Sequence, residues 1–474
     1  MPSGEIFVVT AYGQGHVQPC LELCRHLISR DYHATLVVSS NLFSTIPSSF
    51  SSHPLVSVAQ ISSPPMGPPD PSAPQQANQE LLAHLSARSS DPESPRALCA
   101  IVDFPMGWTK ESFLKYGIPV VGFFTFGACA AAMEWGAWKA QAGDLRPGES
   151  RSIPGLSEEM AITYWDLKRK PGGPPRGGGG GPKPPGGGGG GGGGPVPGVR
   201  PPWVPQVEGS VALMFNTCDI LERPFLEYME AQMGIPAWGV GPLLPEQFWK
   251  SSDTLVRDRE IRQHSRPSNY SEEEVIQWLD SKPSGSVLYV AFGSELTPSM
   301  EEYPELAGAL EESGQPFIWA VQSKSGTSGY FPHGLDTKVG DRGLVISGWA
   351  PQLLILSHQS TGGFLSHCGW NSTAEALGRG VPILAWPIRG DQHFNAKLVV
   401  NHLKVGYRVA NDLSEIVRKD DIAKGIERLM GDGEIHRRAA QLKASFRSGF
   451  PASSMAALDA FGEFIVSQKM DKHY

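Results

Sequence analysis

Short runs of consecutive apolar residues alternate with segments of helical spacing along this chain. The first run, Ile6-Phe7-Val8-Val9, suits a strand covered on both faces. It leads to the turn Gly13-Gln14-Gly15-His16. From Pro19 to about Ser29 a helix is predicted, with Leu21, Cys24 and Leu27/Ile28 on one face. Ala34–Val38 then reads as a second buried strand, completing a β-α-β opening. Strand patterns recur at Ala100–Val102, Val120–Phe124 and Val211–Phe215. A second series begins after Trp278 with Val287–Phe292, a helix over about Ser299–Glu312, and strands at Phe317–Val321, Leu344–Ile346, Gly363–Leu365 and Pro382–Trp386. Strands alternating with helices predict parallel sheets covered on both faces. The fold class is therefore α/β, as two Rossmann-like doubly wound halves. Ligands of such sheets bind at the carboxyl ends of the strands, so a cleft between the halves is the expected site.

The pattern breaks at two places. Residues 171–198 are almost all glycine and proline, cannot bury apolar surface, and are expected to form a disordered loop. A polar stretch after Gly241-Pro242 reads as a linker. The expected organisation is an N-terminal, acceptor-side domain over 1–245, a linker over 246–270 and a C-terminal domain over 271–452. A closing helix from Ser453 is expected to pack back on the first domain.

Composition narrows the class little. Of 474 residues 40% are apolar and 19% charged, and the net charge is −8. An acidic chain argues against a nucleic-acid or anionic-membrane partner. No apolar run approaches the roughly 18 residues of a membrane span, and no signal peptide is visible in Met1–Thr10. Six scattered cysteines form no CxxC pair, which suits free thiols in a reducing compartment. The expectation is a cytoplasmic monomer.

The chemistry concentrates in 349–392, WAPQLLILSHQSTGGFLSHCGWNSTAEALGRGVPILAWPIRGDQ. A strand over Thr361–Ser366 runs through His-Cys-Gly-Trp-Asn-Ser into a helix. Gly369 lets backbone approach a ligand closely, and Asn371 or Ser372 is a candidate cap. The helix start suits a diphosphate. Trp349 offers a flat face to a base, Glu375 two acceptors for ribose hydroxyls, and Asp391 and Gln392 polar groups for a sugar. His16, in the turn after the first strand, is a candidate general base. Asp103, ending the strand Ala100–Val102, is placed to orient it. Taken alone, a lone histidine after a strand is more often structural, and a strand-end aspartate is often a cap.

Segment 349–392 resembles, without a gap, the signature box of plant family 1 UDP-dependent glycosyltransferases: the opening WAPQ, the central HCGWNS, the following glutamate, the GVP and the closing DQ. The resemblance extends over most of the chain and implies the two-domain GT-B fold, a UDP-glucose co-substrate, no metal and no other cofactor. It implies that Trp349 stacks on uracil while the Ala350 backbone hydrogen-bonds it, and that Gln352 and Glu375 hold the ribose. His367, Gly369, Asn371, Ser372 and Ser294 would bind phosphates, and Trp370, Asp391 and Gln392 the sugar. Gln392 and Trp370 resemble those of glucose users. The family's base histidine lies in this GxGH turn, with Gly15 beside the donor, and its partner aspartate in this VxD context. Thr125 resembles the threonine that touches sugar or phosphate. The Gly/Pro stretch has no counterpart in the family pattern.

The reaction implied is inverting transfer of glucose to a small lipophilic acceptor, most simply a phenolic or flavonoid hydroxyl. Candidate acceptor-lining residues are Met106, Trp108, Phe123, Phe126 and Trp135, of which Trp108 and Trp135 read equally well as core. No DxD motif occurs. Alternatives are transfer to an aromatic carbon, a silent UDP-sugar binder and a UDP-sugar 2-epimerase. A nicotinamide dehydrogenase is disfavoured because the first turn lacks the third glycine of its fingerprint.

Overall fold

The computed structural model describes residues 3–62, 73–168, 198–250, 255–258, 267–293, 297–321 and 332–467. The apolar runs become two parallel sheets. The first half contributes β1 (Glu5–Val9), β2 (His33–Ser39), β3 (Val56–Ile61), β4 (Ala97–Asp103) and β5 (Val120–Phe124). A small antiparallel hairpin, β6 (Ser150–Arg151) and β7 (Ile162–Thr163), precedes β8 (Ala212–Phe215) and β9 (Ala237–Gly239). The sheet order is β3-β2-β1-β4-β5-β8-β9. The second half contributes β10 (Val287–Ala291), β11 (Phe317–Val321), β12 (Gly343–Ser347), β13 (Thr361–Ser366), β14 (Ile383–Ala385) and β15 (Gly406–Arg408), in the order β12-β11-β10-β13-β14-β15. In each sheet the first strand lies between its successor and a later strand, so the order reverses beside it. That is where a doubly wound sheet opens a ligand crevice.

Register sets the site. Val9 of β1 pairs with Val102 of β4, so the loops leaving these strands are neighbours. Ser366 at the end of β13 pairs with Ala291 of β10 and Ala385 of β14, bringing the loops that reach Gly293, His367 and Asp391 together.

Several expectations are corrected. The first helix runs Gln14–Ile28, starting before Pro19 and carrying it inside. Proline has no N–H to give the carbonyl four residues back, which is that of Gly15. That carbonyl instead accepts from Asn371 Nδ2 of the other half at 3.4 Å. The 246–270 stretch is no simple polar tether: Glu246–Lys250 is helical and buries Phe248 and Trp249. Phe248 lies under the Arg379 guanidinium, 4.3 Å from ring centroid to cation. Of the Gly/Pro stretch only Gly198 falls among the described residues.

The closing helix, Ala452–Ser467, buries Leu458, Phe461 and Ile465 against the first sheet, where Trp238 of β9 meets Phe461 edge-on at 5.9 Å. All six cysteines are buried thiols, none in a disulfide. Among the described residues no helix is long and apolar enough to cross a membrane. One apolar cluster crosses the boundary between halves, joining Phe124, Ala128 and Phe225 to Trp370, Phe394 and Ala396.

Candidate active site

His16 sits in the first turn of its helix, behind Gly13, whose φ of 104° is open to glycine. Its Nδ1 lies 2.7 Å from Asp103 Oδ2 and 3.0 Å from Thr125 Oγ1. Asp103 is fully buried, and Oδ2 also accepts the Ala11 N–H at 3.1 Å. A carboxylate only accepts hydrogen bonds, so Nδ1 carries the shared proton and Nε2 keeps its lone pair. The His16 side chain is 30% exposed, open enough for Nε2 to meet a ligand.

The other wall comes from the second half. Helix Trp370–Arg379 starts from Gly369 with no side-chain cap. Asn371 and Ser372 therefore lie inside the helix, not at its cap, and leave its first N–H groups to a ligand. Cys368 just before it takes a φ of 59°, held by its N–H donating to Ser366 Oγ at 3.1 Å. Burial pushes His367 down to about 4, against a hydrogen bond to the Ala291 backbone, so its ring is neutral at ordinary pH and brings no positive charge. Gln352 Nε2 donates to Glu375 Oε2 at 2.7 Å and Ser372 Oγ at 3.0 Å, joining the two residues read as ribose holders. Trp349 and Ala350 are half-buried in the loop after β12. Ser294 lies outside the described residues.

Asp391 and Gln392 begin the helix Gln392–Lys397. Gln392 Oε1 accepts the N–H groups of Ile388 and Arg389, both at 3.0 Å, which leaves its amide NH2 for a ligand. Burial pushes the Asp391 carboxyl up, against the Asn395 hydrogen bond and the nearby charges of His16 and Arg389. His16 of one half and Asp391 of the other thus act on each other across the cleft.

Trp370 does not offer its indole N–H to the cleft. It donates instead to the Asn216 carbonyl at 2.6 Å, and the ring is buried against Gly127. Of the candidate acceptor residues, Trp108 and Phe126 are half-buried. Phe126 meets Phe104 and Phe124 edge-on at 5.7 and 5.5 Å. Met106 and Phe123 are core residues, a correction with a simple cause. The pleat of β5 sends Phe124 and Phe123 to opposite faces, and Phe123 packs among Ile6, Val8 and Leu21. Met106 packs with Leu81 and Phe113. Trp135 is nearly buried and donates to Gln232 Oε1 at 3.1 Å.

Three polar residues that sequence reading missed hold the site together. Buried Asn395 donates to Cys368 O at 3.0 Å and Asp391 Oδ2 at 2.8 Å, tying the HCGW turn to the closing DQ. Asn216, after β8, donates to Thr125 O and accepts from Leu243 N–H. Glu222 is fully buried and accepts the Ala128 and Cys129 N–H groups, each at 2.9 Å. It caps the helix Ala128–Lys139, which has no cap side chain of its own. The only sequence signals were a polar residue after a buried strand for Asn216 and an asparagine one helical turn beyond Asp391 for Asn395.

Burial raises Glu222 to about 7. Its folded value thus lies above the unfolded value of about 4.3. The stability this contributes is full below about 4.3 and is lost as pH rises towards 7. Glu222→Gln sets an amide NH2 against one of the two N–H groups and is expected to cost about 1–3 kcal/mol. Melting curves of both proteins from pH 5 to 8 check this. The gap in Tm should narrow as pH rises, and a constant gap contradicts the titration.

Two parallel sheets facing a cleft, an imidazole–carboxylate pair on one wall and an open helix start on the other define a nucleotide-sugar enzyme architecture. The family of UDP-glucoronosyl and UDP-glucosyl transferases is matched over residues 260–448. UDP-glycosyltransferase 73C25 of Barbarea vulgaris is 32% identical over 374 residues, covering 74% of this chain and 69% of that protein. Scopoletin glucosyltransferase of Nicotiana tabacum is 39% identical over 226 residues, 47% of this chain and 46% of that one. At that higher identity the chain spans about half the length of the curated relatives it matches. A UDP-glucosyltransferase from Polygonum tinctorium, capable of glucosylating indoxyl, superposes with a TM-score of 0.75 at 25% identity, over 98% of this chain and 99% of that one. The chain belongs to the UDP-glycosyltransferase family.

Proposed function

We propose that this protein transfers glucose from UDP-glucose to a hydroxyl of a small lipophilic phenol, with inversion at the anomeric carbon. The observation that carries this is the 2.7 Å His16–Asp103 pair, set across the cleft from Asp391. His16 Nε2 takes the proton of the acceptor O–H. The oxygen forms a bond to the anomeric carbon from the face opposite UDP. The bond from that carbon to the phosphate oxygen breaks, and its electron pair leaves on UDP. Asp103 stabilises the imidazolium that results. The uncapped N–H groups at Trp370–Ser372 meet the charge growing on the diphosphate, as pre-aimed donors. Trp349 supplies a face for uracil, and the linked Gln352 and Glu375 supply acceptors for ribose. The Gln392 NH2 and the Asp391 carboxylate are a donor and an acceptor for sugar hydroxyls.

Relatives named for scopoletin and for indoxyl support a planar aromatic acceptor. The aromatic cluster of Phe104, Phe124 and Phe126 beside Asp103 and Thr125 suits one. With no DxD pair in the chain, the diphosphate charge falls to these N–H donors, and transfer proceeds without a divalent metal. Buried thiols at all six cysteines suit the reducing cytosol, where the chain acts as a monomer.

A mass-spectrometric assay tests this. UDP-glucose, UDP-galactose, UDP-xylose and UDP-glucuronate are offered in EDTA against simple phenols, flavonoids and terpenoid alcohols. A hexose adduct from UDP-glucose at a rate indifferent to EDTA is expected. Acid lability of the product separates attachment at oxygen from attachment at carbon. UDP binding with no product from any pair overturns the reading.

A further inference from the structure

Segment 159–168 is held to the first half by its backbone, through the β6–β7 hairpin, yet charged side chains along it tie to the second. Glu159 pairs with Lys404, and its carbonyl accepts from Asn401 Nδ2 at 3.1 Å. Lys168 Nζ lies 3.1 Å from Asp412 Oδ2. These ties are partly exposed and easily screened. The tie between them is different. Asp166 Oδ2 lies 2.7 Å from Lys397 Nζ, with the two side chains 4% and 3% exposed, and Arg408 Nη2 lies 3.4 Å from Oδ1. Asp166 is itself fixed, because its Oδ2 accepts the N–H and hydroxyl of Thr163 at 3.0 and 2.9 Å in a capping box. Burial alone would push this carboxyl up; the Lys397 and Arg408 cations outweigh it and hold it below the usual carboxylate range.

Lys397 lies where the α-helix that starts at Gln392 passes directly into a π-helical stretch, Leu398–His402. Lys397 is thus on the same continuous helical segment as Gln392, little more than one α-helical turn away. Asn395 ties its middle to Cys368 and Asp391. Lys397 carries a buried charge at the junction of its α and π parts. Removing either partner of a buried pair strains what remains and breaks the contact that fixes the helix to Asp166, so the helix is released to shift. A shift there is carried to Asp391 and Gln392. The uracil, ribose and phosphate groups, at 349–375, lie on other elements.

We propose that the buried Asp166–Lys397 pair is a positioning device for the sugar half of the donor site, fixing the helix that presents Asp391 and Gln392. It rests on the reading above that these two residues meet the sugar. Sugar recognition is thereby tied to a segment of the first half.

Calorimetric binding of UDP and of UDP-glucose to the full chain tests it, without needing turnover. Lys397→Met, Asp166→Asn, Lys397→Arg and, as an exposed control, Glu159→Ala are compared. Lys397→Met and Asp166→Asn are expected to weaken UDP-glucose about tenfold, the weight of roughly one sugar hydrogen bond, with UDP changed less than twofold. Lys397→Arg should recover most of the loss, and Glu159→Ala should bind as the parent does. Equal weakening of UDP and UDP-glucose overturns the inference, as does a lowered Tm with both affinities intact. Should Lys397→Met fail to fold, Asp166→Asn against Lys397→Arg decides by the same ratio. Absence of turnover in the parent chain counts against the transferase reading alone, because the affinity ratio is measured without it.

Discussion

His16→Ala is expected to lower transfer by about 10²–10⁴-fold, the usual weight of a positioned general base, with UDP affinity within twofold of the parent. The split follows from geometry. His16 is held by Asp103 and Thr125 of its own half, while Trp349, Gln352, Glu375 and the helix start at Trp370, read as holders of uracil, ribose and phosphate, belong to the other. The loss should appear in kcat, with little change in the KM for UDP-glucose. Asp103→Asn should fall in the same direction. Asp103 Oδ2 accepts from both Ala11 N–H and His16 Nδ1. An asparagine oxygen at that place still accepts both, so what is lost is the negative charge that stabilises the imidazolium, together with the burial of an NH2 where Oδ1 has no hydrogen-bond partner among the described residues. Steady-state rates with a phenolic acceptor check both variants. Strong residual transfer in His16→Ala would sink the base assignment.

Gly369→Ala is expected to do the converse, weakening UDP by about tenfold to a hundredfold, which is about 1.4–2.8 kcal/mol. The φ of Gly369 is −59°, so alanine is tolerated by the backbone. The obstacle is a side chain: the new Cβ would lie 2.5 Å from His367 Nε2. The ring is buried and has Gly293 at another side, where only the lack of a side chain makes room for it. Either the ring or the helix start must move, and both are read as phosphate holders. Calorimetry with UDP alone measures the effect, and unchanged affinity would remove the diphosphate from this helix start. The two variants together separate chemistry from nucleotide binding.

Legibility in the sequence tracked how local each signal was. Central strands such as Ile6–Val9 and Val287–Phe292 are continuous apolar runs and announce themselves. Edge strands β3, β9 and β15 do not: Val56–Ile61 alternates with polar residues, and Ala237–Gly239 and Gly406–Arg408 are three residues long. The helix beginning at Gln14 has no apolar period in its first turn, so its start was placed at Pro19. Segment 349–392 was readable because its ligand groups come from consecutive loops of one sheet. Asn395, Asn216, Glu222 and the Asp166–Lys397 pair were not readable, because each gains meaning from a partner tens or hundreds of positions away. Met106 and Phe123 failed for the opposite reason. An aromatic or sulfur side chain beside a strand end suits a pocket and a core equally, and only the pleat decides.

The apolar cluster shared between the halves has a consequence for how the molecule comes apart. Where domains keep separate cores, each can melt alone, and the boundary behaves like a loose, partly polar interface. Here Trp370 and Phe394 are packed with Phe124 and Ala128 as one body of side chains. Parting the halves would wet that body and forfeit its burial. Cooperative opening units are set by such shared packing, not by chain order. The helix Ala128–Lys139 therefore belongs to the unfolding unit of both sheets, and damage beneath it is felt on either side of the cleft.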